Sequence, residues 1–199
     1  MPDDIRLIRC SGEQLRRHIP DLARLRIRVF RDFPYLYDGD MDYESWYLGT
    51  YVKCESAVIV VVLDGDRVVG ASTGMPLHYE NPDFQRPFIE NGYDLKNIFY
   101  CAESVLDPDY RGHGIGVRFF EERESHARNL GGFDWLTFCA VERSPDHPRC
   151  PRGYVPLDRF WRNRGYTRHP ELRTTFRWKD LDESEQSPKQ LTYWLKRVE

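Results

Sequence analysis

The stretch that most constrains this chain is Leu106-Asp107-Pro108-Asp109-Tyr110-Arg111-Gly112-His113-Gly114-Ile115-Gly116-Val117. Before it, Ile98-Phe99-Tyr100-Cys101-Ala102-Glu103-Ser104-Val105 is apolar enough for a core strand. After it, Gly116, Phe119, Phe120, Ala127 and Leu130 follow helical spacing, and Gly131-Gly132 supplies the stop. Three glycines at alternate positions, preceded by an arginine, therefore stand at a strand-to-helix junction. Glycine lets backbone approach a ligand closely, and a helix N-terminus offers unpaired N–H groups and a favourable dipole. A phosphate or pyrophosphate is the expected guest. A P-loop is excluded, because Gly116 is followed by Val117-Arg118 rather than Lys-Ser/Thr. A dinucleotide fingerprint also fails, since it would need glycine at Val117 or Phe119.

The pattern that fits is Arg-x-x-Gly-x-Gly, here Arg111-Gly112-His113-Gly114-Ile115-Gly116, just after Leu106-Asp107-Pro108. It resembles the acyl-CoA pyrophosphate loop of the GNAT-type N-acetyltransferase superfamily. That resemblance implies an α/β fold: a central mixed, mostly antiparallel sheet with splayed middle strands, flanked by helices. It implies acetyl-CoA as acyl donor. The pantetheine arm would pair with the backbone of Ser104, Val105 and Leu106. The pyrophosphate would rest on Arg111, Gly112, His113, Gly114, Ile115, Gly116 and Val117. It further implies direct attack by a primary amine in a ternary complex. A second, weaker match is Phe160-Trp161-x-x-x-Gly165-Tyr166. Family members carry a tyrosine where Trp161 stands, as general acid toward the leaving thiolate, and an indole cannot deliver that proton.

Composition narrows the alternatives. At 199 residues, with 40% hydrophobic and 14% aromatic side chains, the chain suits one packed domain spanning residues 1–199. A formal net charge of -3 gives no electrostatic reason to expect nucleic acid. Five cysteines, an odd number without framework spacing, suggest a reduced, cytoplasmic protein. Met1-Pro2-Asp3-Asp4 leads into no apolar run, so no signal peptide is expected. The longest apolar stretch, Ala57 to Leu63, is too short to span a bilayer, and no membrane partner is expected. The oligomeric state, a homodimer included, stays open.

Along the chain, Ile5 to Arg9 reads as a strand. Ser11 opens a Ser-x-x-Gln capping box, and Pro20 suits the first turn of a helix with Ile19, Leu22, Leu25 and Val29 on its buried stripe. That helix ends before Phe33-Pro34. Ala57–Leu63, Asp64-Gly65-Asp66 and Arg67–Thr73 form a tight antiparallel hairpin. Met75 to Asn97 is a long polar insertion, either a functional flap or partly ordered. Phe133–Ala140 is a strand, Val141–Val155 a proline-containing loop, and Leu157–Asn163 a short helix. Leu172–Trp178 is a further strand, and Lys189–Val198 a closing amphipathic segment.

Amine attack requires a neutral amine, so a base must take a proton. Glu103 is the candidate, because an acid in an apolar core strand is costly unless it is paired or functional. A glutamate buried against an arginine, or exposed by a bulge, is the other reading. Tyr154 and Tyr166 are candidate acids, and each also reads as a packing residue. Tyr35, Tyr37 and Asp38 lie in an aromatic and acidic stretch suited to a cationic acceptor. The acceptor site would be built from Phe33 to Tyr47, the Met75–Asn97 insertion and the loop after Cys139. Cys139 without a histidine partner is a core thiol, and His147 with Cys150 fits no zinc spacing, so no metal is expected. The function expected is an acyltransferase moving acetyl from acetyl-CoA to a primary amine of a small molecule or peptide. The alternatives are an inactive acyl-CoA sensor or scaffold, and a phosphate-binding enzyme of another kind.

Overall fold

The computed structural model describes residues 5–199. The described helices are α1 (Ile19–Phe30), α2 (Met41–Lys53), α3 (Pro82–Glu90), α4 (Ile115–Leu130) and α5 (Asp158–Arg162). The strands are β1 (Ile5–Cys10), β2 (Val58–Asp64), β3 (Arg67–Pro76), β4 (Ile98–Tyr100), β5 (Ser104–Leu106), β6 (Trp135–Val141), β7 (Thr167–Trp178) and β8 (Ser187–Arg197). They form one sheet in the order β1-β2-β3-β4-β6-β8-β7, with β5 also beside β3. Every pairing is antiparallel except the parallel pair β4 and β6. The sheet is therefore mixed and mostly antiparallel, flanked by helices, as the family resemblance implies.

Successive residues of a strand face opposite sides, and β2 buries both. Ile59, Val61 and Leu63 join the cluster that holds Leu22 and Leu25 of α1 and Leu48 and Tyr51 of α2. Val58, Val60 and Val62 join the cluster that holds Ile115, Phe119, Phe120 and Ala127 of α4. Full burial of one such side chain is worth about 1.5–3 kcal/mol, which explains the unbroken valine run. A third cluster, with Phe88, Leu172, Leu191 and Tyr193, packs α3 against the β7–β8 end.

The apolar run from Ile98 is interrupted at Cys101-Ala102-Glu103, dividing it into β4 and β5. β4 pairs with Met75 and Pro76 of β3 and with Trp135 to Thr137 of β6. β5 pairs with Gly70, Ala71 and Ser72 of β3 alone. Beyond Thr137, β6 stays with β8 and leaves β5. The middle of the sheet thus splays. Gly70 and Gly74 permit the close packing there: a Cβ would come within 2.7 Å of Leu106 at Gly70 and within 2.7 Å of Phe99 at Gly74.

Several sequence expectations change. Ser11 makes no capping bond, and Gly12–His18 is a 3-10 turn instead. Met75–Asn97 is not a flap: it carries α3, whose Phe84 ring packs at a tilt against Phe176 at 4.2 Å and Tyr100 at 5.1 Å. The segment after Met41 is a helix of 13 residues capped by Asp40, whose side chain accepts the Tyr43 N–H at 2.8 Å. The closing segment from Lys189 is strand β8, and β7 begins at Thr167, earlier than Leu172, with a register shift between His169 and Arg173. On α4, Leu130 is 44% exposed, whereas Arg123 and Glu124 are buried.

Candidate active site

The register fixes which backbone groups the splay presents. Glu103 O accepts from Thr73 N at 3.0 Å and Asp107 N donates to Val69 O at 2.9 Å, so Glu103, Val105 and Asp107 are the hydrogen-bonded positions toward β3. In an antiparallel ladder the intervening residues point their N–H and C=O groups the other way. Ser104 and Leu106 therefore offer backbone donors and acceptors to the gap, while Val105 is spent on β3. Among the three strand residues expected to hold the pantetheine arm, Val105 is corrected on this ground. On the facing strand, Asp134 O accepts from Val198 N at 3.0 Å and Glu142 N donates to Gln190 O at 2.9 Å. By the same alternation Cys139 and Val141 turn their backbone groups to the gap. Two open backbone edges face each other across a wedge.

At one end of the wedge lies the glycine loop. Gly112 and Gly114 have φ of +81° and +79°, conformations open to glycine at little cost. Gly114 caps α4, and Val117 N and Arg118 N donate to its carbonyl at 3.0 and 3.2 Å. The N–H groups of Ile115 and Gly116, in the first turn, have no helical carbonyl to meet. A Cβ at Gly116 would meet the Phe160 ring at 3.4 Å, an ordinary contact, so packing alone does not demand glycine there. The loop is pinned from behind. Arg28 and Arg67 donate to buried Asp107 at 2.8 and 2.7 Å, and the Tyr110 hydroxyl donates to Asp64 at 2.5 Å. Arg111 is exposed, with Nη2 at 3.4 Å from Leu106 O. The Ile115 side chain faces the core and His113 is exposed.

A cleft of about 1040 Å³ follows the wedge. Ser104, Leu106, Arg111, Gly112, Gly114, Gly116 and Val117 line it on the loop side. Glu103, Tyr35 and Tyr154 line it too, which brings three of the predicted site residues together. Tyr166, Tyr37 and Asp38 are not among the lining residues. Tyr166 is buried, its hydroxyl donating to Glu124 at 3.2 Å and its ring against Phe120 and Phe138. Asp38 pairs with Lys179 at 2.5 Å, and that hydrogen bond holds its carboxyl below the usual range. Burial, with the neighbouring Glu44, holds the Tyr37 hydroxyl well above its ordinary pKa. No residue of Met75–Asn97 lines the cleft. The Phe33–Tyr35 segment does, held by Arg143, which donates to Pro34 O at 2.8 Å, Tyr35 O at 3.0 Å and Asp180 at 2.8 Å.

The cleft's chemistry is mixed. Phe33 meets Tyr154 edge to face at 4.7 Å, and Trp161 packs at 5.1 Å against both Phe138 and Trp194. Burial raises the Tyr154 hydroxyl, so it stays protonated at neutral pH. Burial pushes the Cys139 thiol up to about 12, and Tyr100 OH lies 3.2 Å from its Sγ, so a thiolate nucleophile is absent at neutral pH. Glu103 is ion-paired with Arg26, which also pairs with Glu44. The side chain of Glu103 is only 11% exposed. Among the described residues no group of three metal-ligating side chains occurs, and no helix is long and apolar enough to cross a membrane.

Sequence reading did not find the Cys139 and Val141 edge, the Asp107 clamp or buried Arg123. The first follows from which strand pairs with which, and the arginines lie in other elements than the residues they hold.

Comparison with known proteins agrees with this geometry. The family model described as the Acetyltransferase (GNAT) family matches residues 22–151. No curated protein matches the chain. Among solved structures, the ribosomal-protein-alanine N-acetyltransferase of Brucella melitensis superposes with a TM-score of 0.62 at 12% identity, covering 97% of this chain and 99% of that one. YncA of Salmonella typhimurium, with its cofactor acetyl-CoA, gives 0.60 at 9% identity over 99% and 95%. The polyamine N-acetyltransferase of Drosophila melanogaster, which forms N-acetylagmatine, gives 0.59 at 14% identity over 98% and 100%. With the family model spanning residues 22–151 and the glycine loop and splayed strands in place, this chain belongs to the GNAT family of acetyltransferases.

Proposed function

We propose that the chain transfers acetyl from acetyl-CoA to a primary amine within a ternary complex, as a single domain spanning residues 1–199. The observation that carries this reading is the pair of facing backbone edges, Ser104 and Leu106 opposite Cys139 and Val141, leading into the glycine loop. An extended arm with amide groups fits between two such edges, and a pyrophosphate suits the first turn of α4 beside Arg111. The donor supplies a reactive thioester. Outward N–H groups of the strand, Ser104 foremost, stabilise charge growing on the thioester oxygen. Glu103 takes a proton from the amine, and Tyr154 is the acid within the cleft that can return one to the leaving sulfur. Tyr166 has no such role, being bonded to Glu124 in the core. Phe33, Tyr35 and Tyr154 give the acceptor aromatic faces suited to a cationic amine. The acceptor, a small molecule or a peptide, is an amine by analogy with the polyamine and ribosomal-protein acetyltransferases named above.

Trp161 favours one other reading, an acyl-CoA sensor without turnover, since it stands in the cleft where an acid would be useful. Two measurements decide. Thermal unfolding with acetyl-CoA, CoA, ATP and NAD in parallel should show stabilisation by the two CoA species alone. A panel of amines assayed for CoA release should then give turnover. Binding without release from any amine would leave the sensor standing.

A further inference from the structure

Glu103 is one end of a buried chain of oxygen atoms. Its Oε2 accepts from the Tyr47 hydroxyl at 3.2 Å, and the Tyr47 and Tyr51 hydroxyls lie 3.1 Å apart. Tyr51 donates to Glu80 Oε1 at 3.4 Å and accepts from Thr73 Oγ1 at 3.2 Å. The two tyrosines are four residues apart on α2, which places them on one helix face. Glu80 is 7% exposed, its Oε2 accepts the Asn81 N–H at 2.9 Å, and its neighbours His78, Tyr79 and Asn81 are exposed. The chain thus runs from the wall of the cleft to a carboxyl beside the surface.

We propose that Glu80 is the proton store of this active site, receiving through Tyr51 and Tyr47 the proton that Glu103 takes from the bound ammonium. The inference rests on the amine-acetylation reading above. In the step, an N–H bond of the ammonium breaks, its electron pair stays on nitrogen, and the proton joins a Glu103 oxygen. Once protonated, Glu103 no longer accepts from Tyr47, whose O–H turns to the Tyr51 oxygen 3.1 Å away. Glu103 then donates to the Tyr47 oxygen, the Tyr47 proton moves to Tyr51, and the Tyr51 proton moves to Glu80 Oε1. Both phenols end neutral, and their O–H groups turn back between cycles. The freed electron pair forms the N–C bond, the C–S bond breaks, and the second amine proton goes to the leaving sulfur. One proton is left over for each ammonium acetylated, and Glu80 releases it to water.

The two carboxylates differ in their surroundings. Glu103 shares the Arg26 guanidinium with Glu44, whereas among the described residues no arginine, lysine or histidine is ion-paired with Glu80. Burial pushes the Glu80 carboxyl up to about 7, against the Asn81 hydrogen bond and with help from the Glu103 charge. A group with that pKa takes and returns protons readily at neutral pH. Hydrogen bonds from Tyr51 and Tyr47 lower the Glu80 carboxyl in turn, and the titratable groups that feel the Glu80 charge are Tyr43, Tyr47, Tyr51 and Cys54 of α2 and its end, and Tyr100, Cys139 and Tyr193 of the sheet. Burial raises every one of them, so all are neutral there and Glu103 is the charged neighbour.

The test is the pH dependence of CoA release for wild type, Glu80→Gln and Tyr51→Phe, with an amine the wild type accepts. Each variant should lower kcat at pH 7 by at least about tenfold while KM for acetyl-CoA holds. Glu80→Gln should also displace the inflection near neutral pH. Thermal midpoints with and without acetyl-CoA confirm folding, and Glu80→Gln keeps the shape of the site should Tyr51→Phe fail to fold. An active wild type whose rate and profile Glu80→Gln leaves intact overturns the relay alone. A wild type that releases no CoA with any amine overturns the acetylation reading and the relay with it.

Discussion

Gly114 separates the folding role of the glycine loop from the binding role proposed for it. Its φ is +79° and a Cβ there would meet nothing within 4 Å, so Gly114→Ala costs only the left-handed backbone. That cost is about 1–2 kcal/mol. For a chain of this length it lowers the thermal midpoint by roughly 2–8 °C. Gly65, in the β2–β3 turn with φ +56° and equally open space, is the matched control outside the cleft. Without ligand the two alanine variants should lose similar stability. At a hundredfold excess over the dissociation constant, acetyl-CoA should add about 2.7 kcal/mol to wild type and to Gly65→Ala. In Gly114→Ala the new methyl stands where the pyrophosphate would press against backbone. Thirty-fold weaker binding there would leave about 0.9 kcal/mol of ligand stabilisation. Differential scanning fluorimetry across an acetyl-CoA series reads both effects. Equal ligand shifts in the two variants would refute the loop as the pyrophosphate cradle.

Arg26→Met would strand the buried carboxylates of Glu44 and Glu103, at about 3–5 kcal/mol, and drop the thermal midpoint by roughly 6–20 °C; a loss within 2 °C would show that the ion pairs carry no weight. Tyr166→Phe should cost about 1–3 kcal/mol in urea unfolding yet leave kcat for CoA release within about twofold, because the hydroxyl serves Glu124 in the core. Tyr154→Phe should do the reverse, sparing stability and lowering kcat at least about tenfold. The Glu80 carboxyl, raised to about 7 by burial, binds a proton more tightly folded than unfolded. Its contribution is fully present below the unfolded value near 4.5 and is lost as pH rises through 7, a change on the order of 3 kcal/mol. Glu80→Gln should therefore gain stability relative to wild type as pH rises from 4.5 to 7, and an unchanged difference across that range would contradict the burial of an unpaired carboxyl.

What the sequence disclosed depended on how local each feature is. The loop from Arg111 to Gly116, the β2–β3 hairpin and α4 are all written in short-range pattern, with glycine where φ is positive and apolar residues at a fixed period. Glu103 stood out as an acid in an apolar run, but its partner Arg26 lies 77 residues earlier, and no spacing rule connects them. Tyr37 and Asp38 look like acceptor ligands by composition. The chain turns after Tyr35, where Arg143 grips the Pro34 and Tyr35 carbonyls, and Asp38 goes to Lys179 instead. Val105 shows the finest limit. Its side chain, its neighbours and its strand were all legible, yet which way its N–H points is a property of the register with β3.

An open strand edge is a liability in most proteins, because unpaired N–H and C=O groups recruit other chains. Here the break at Cys101–Glu103 creates two such edges inside the fold, and something must keep them from closing on each other. Arg123 of α4 does so: its Nη1 donates to Glu103 O at 3.0 Å and lies 3.4 Å from Thr73 O, while Nε donates to Phe119 O at 3.2 Å. A buried guanidinium satisfied by backbone carbonyls ties the break to the helix that begins at the glycine loop. The same residue, Glu103, has its carbonyl held by Arg123 and its carboxylate held by Arg26, and it is one of the residues that line the cleft. Wedge width, loop position and the Glu103 carboxylate are thus fixed against one another by two arginines. A change that loosens either one should therefore weaken acetyl-CoA binding and slow proton removal together.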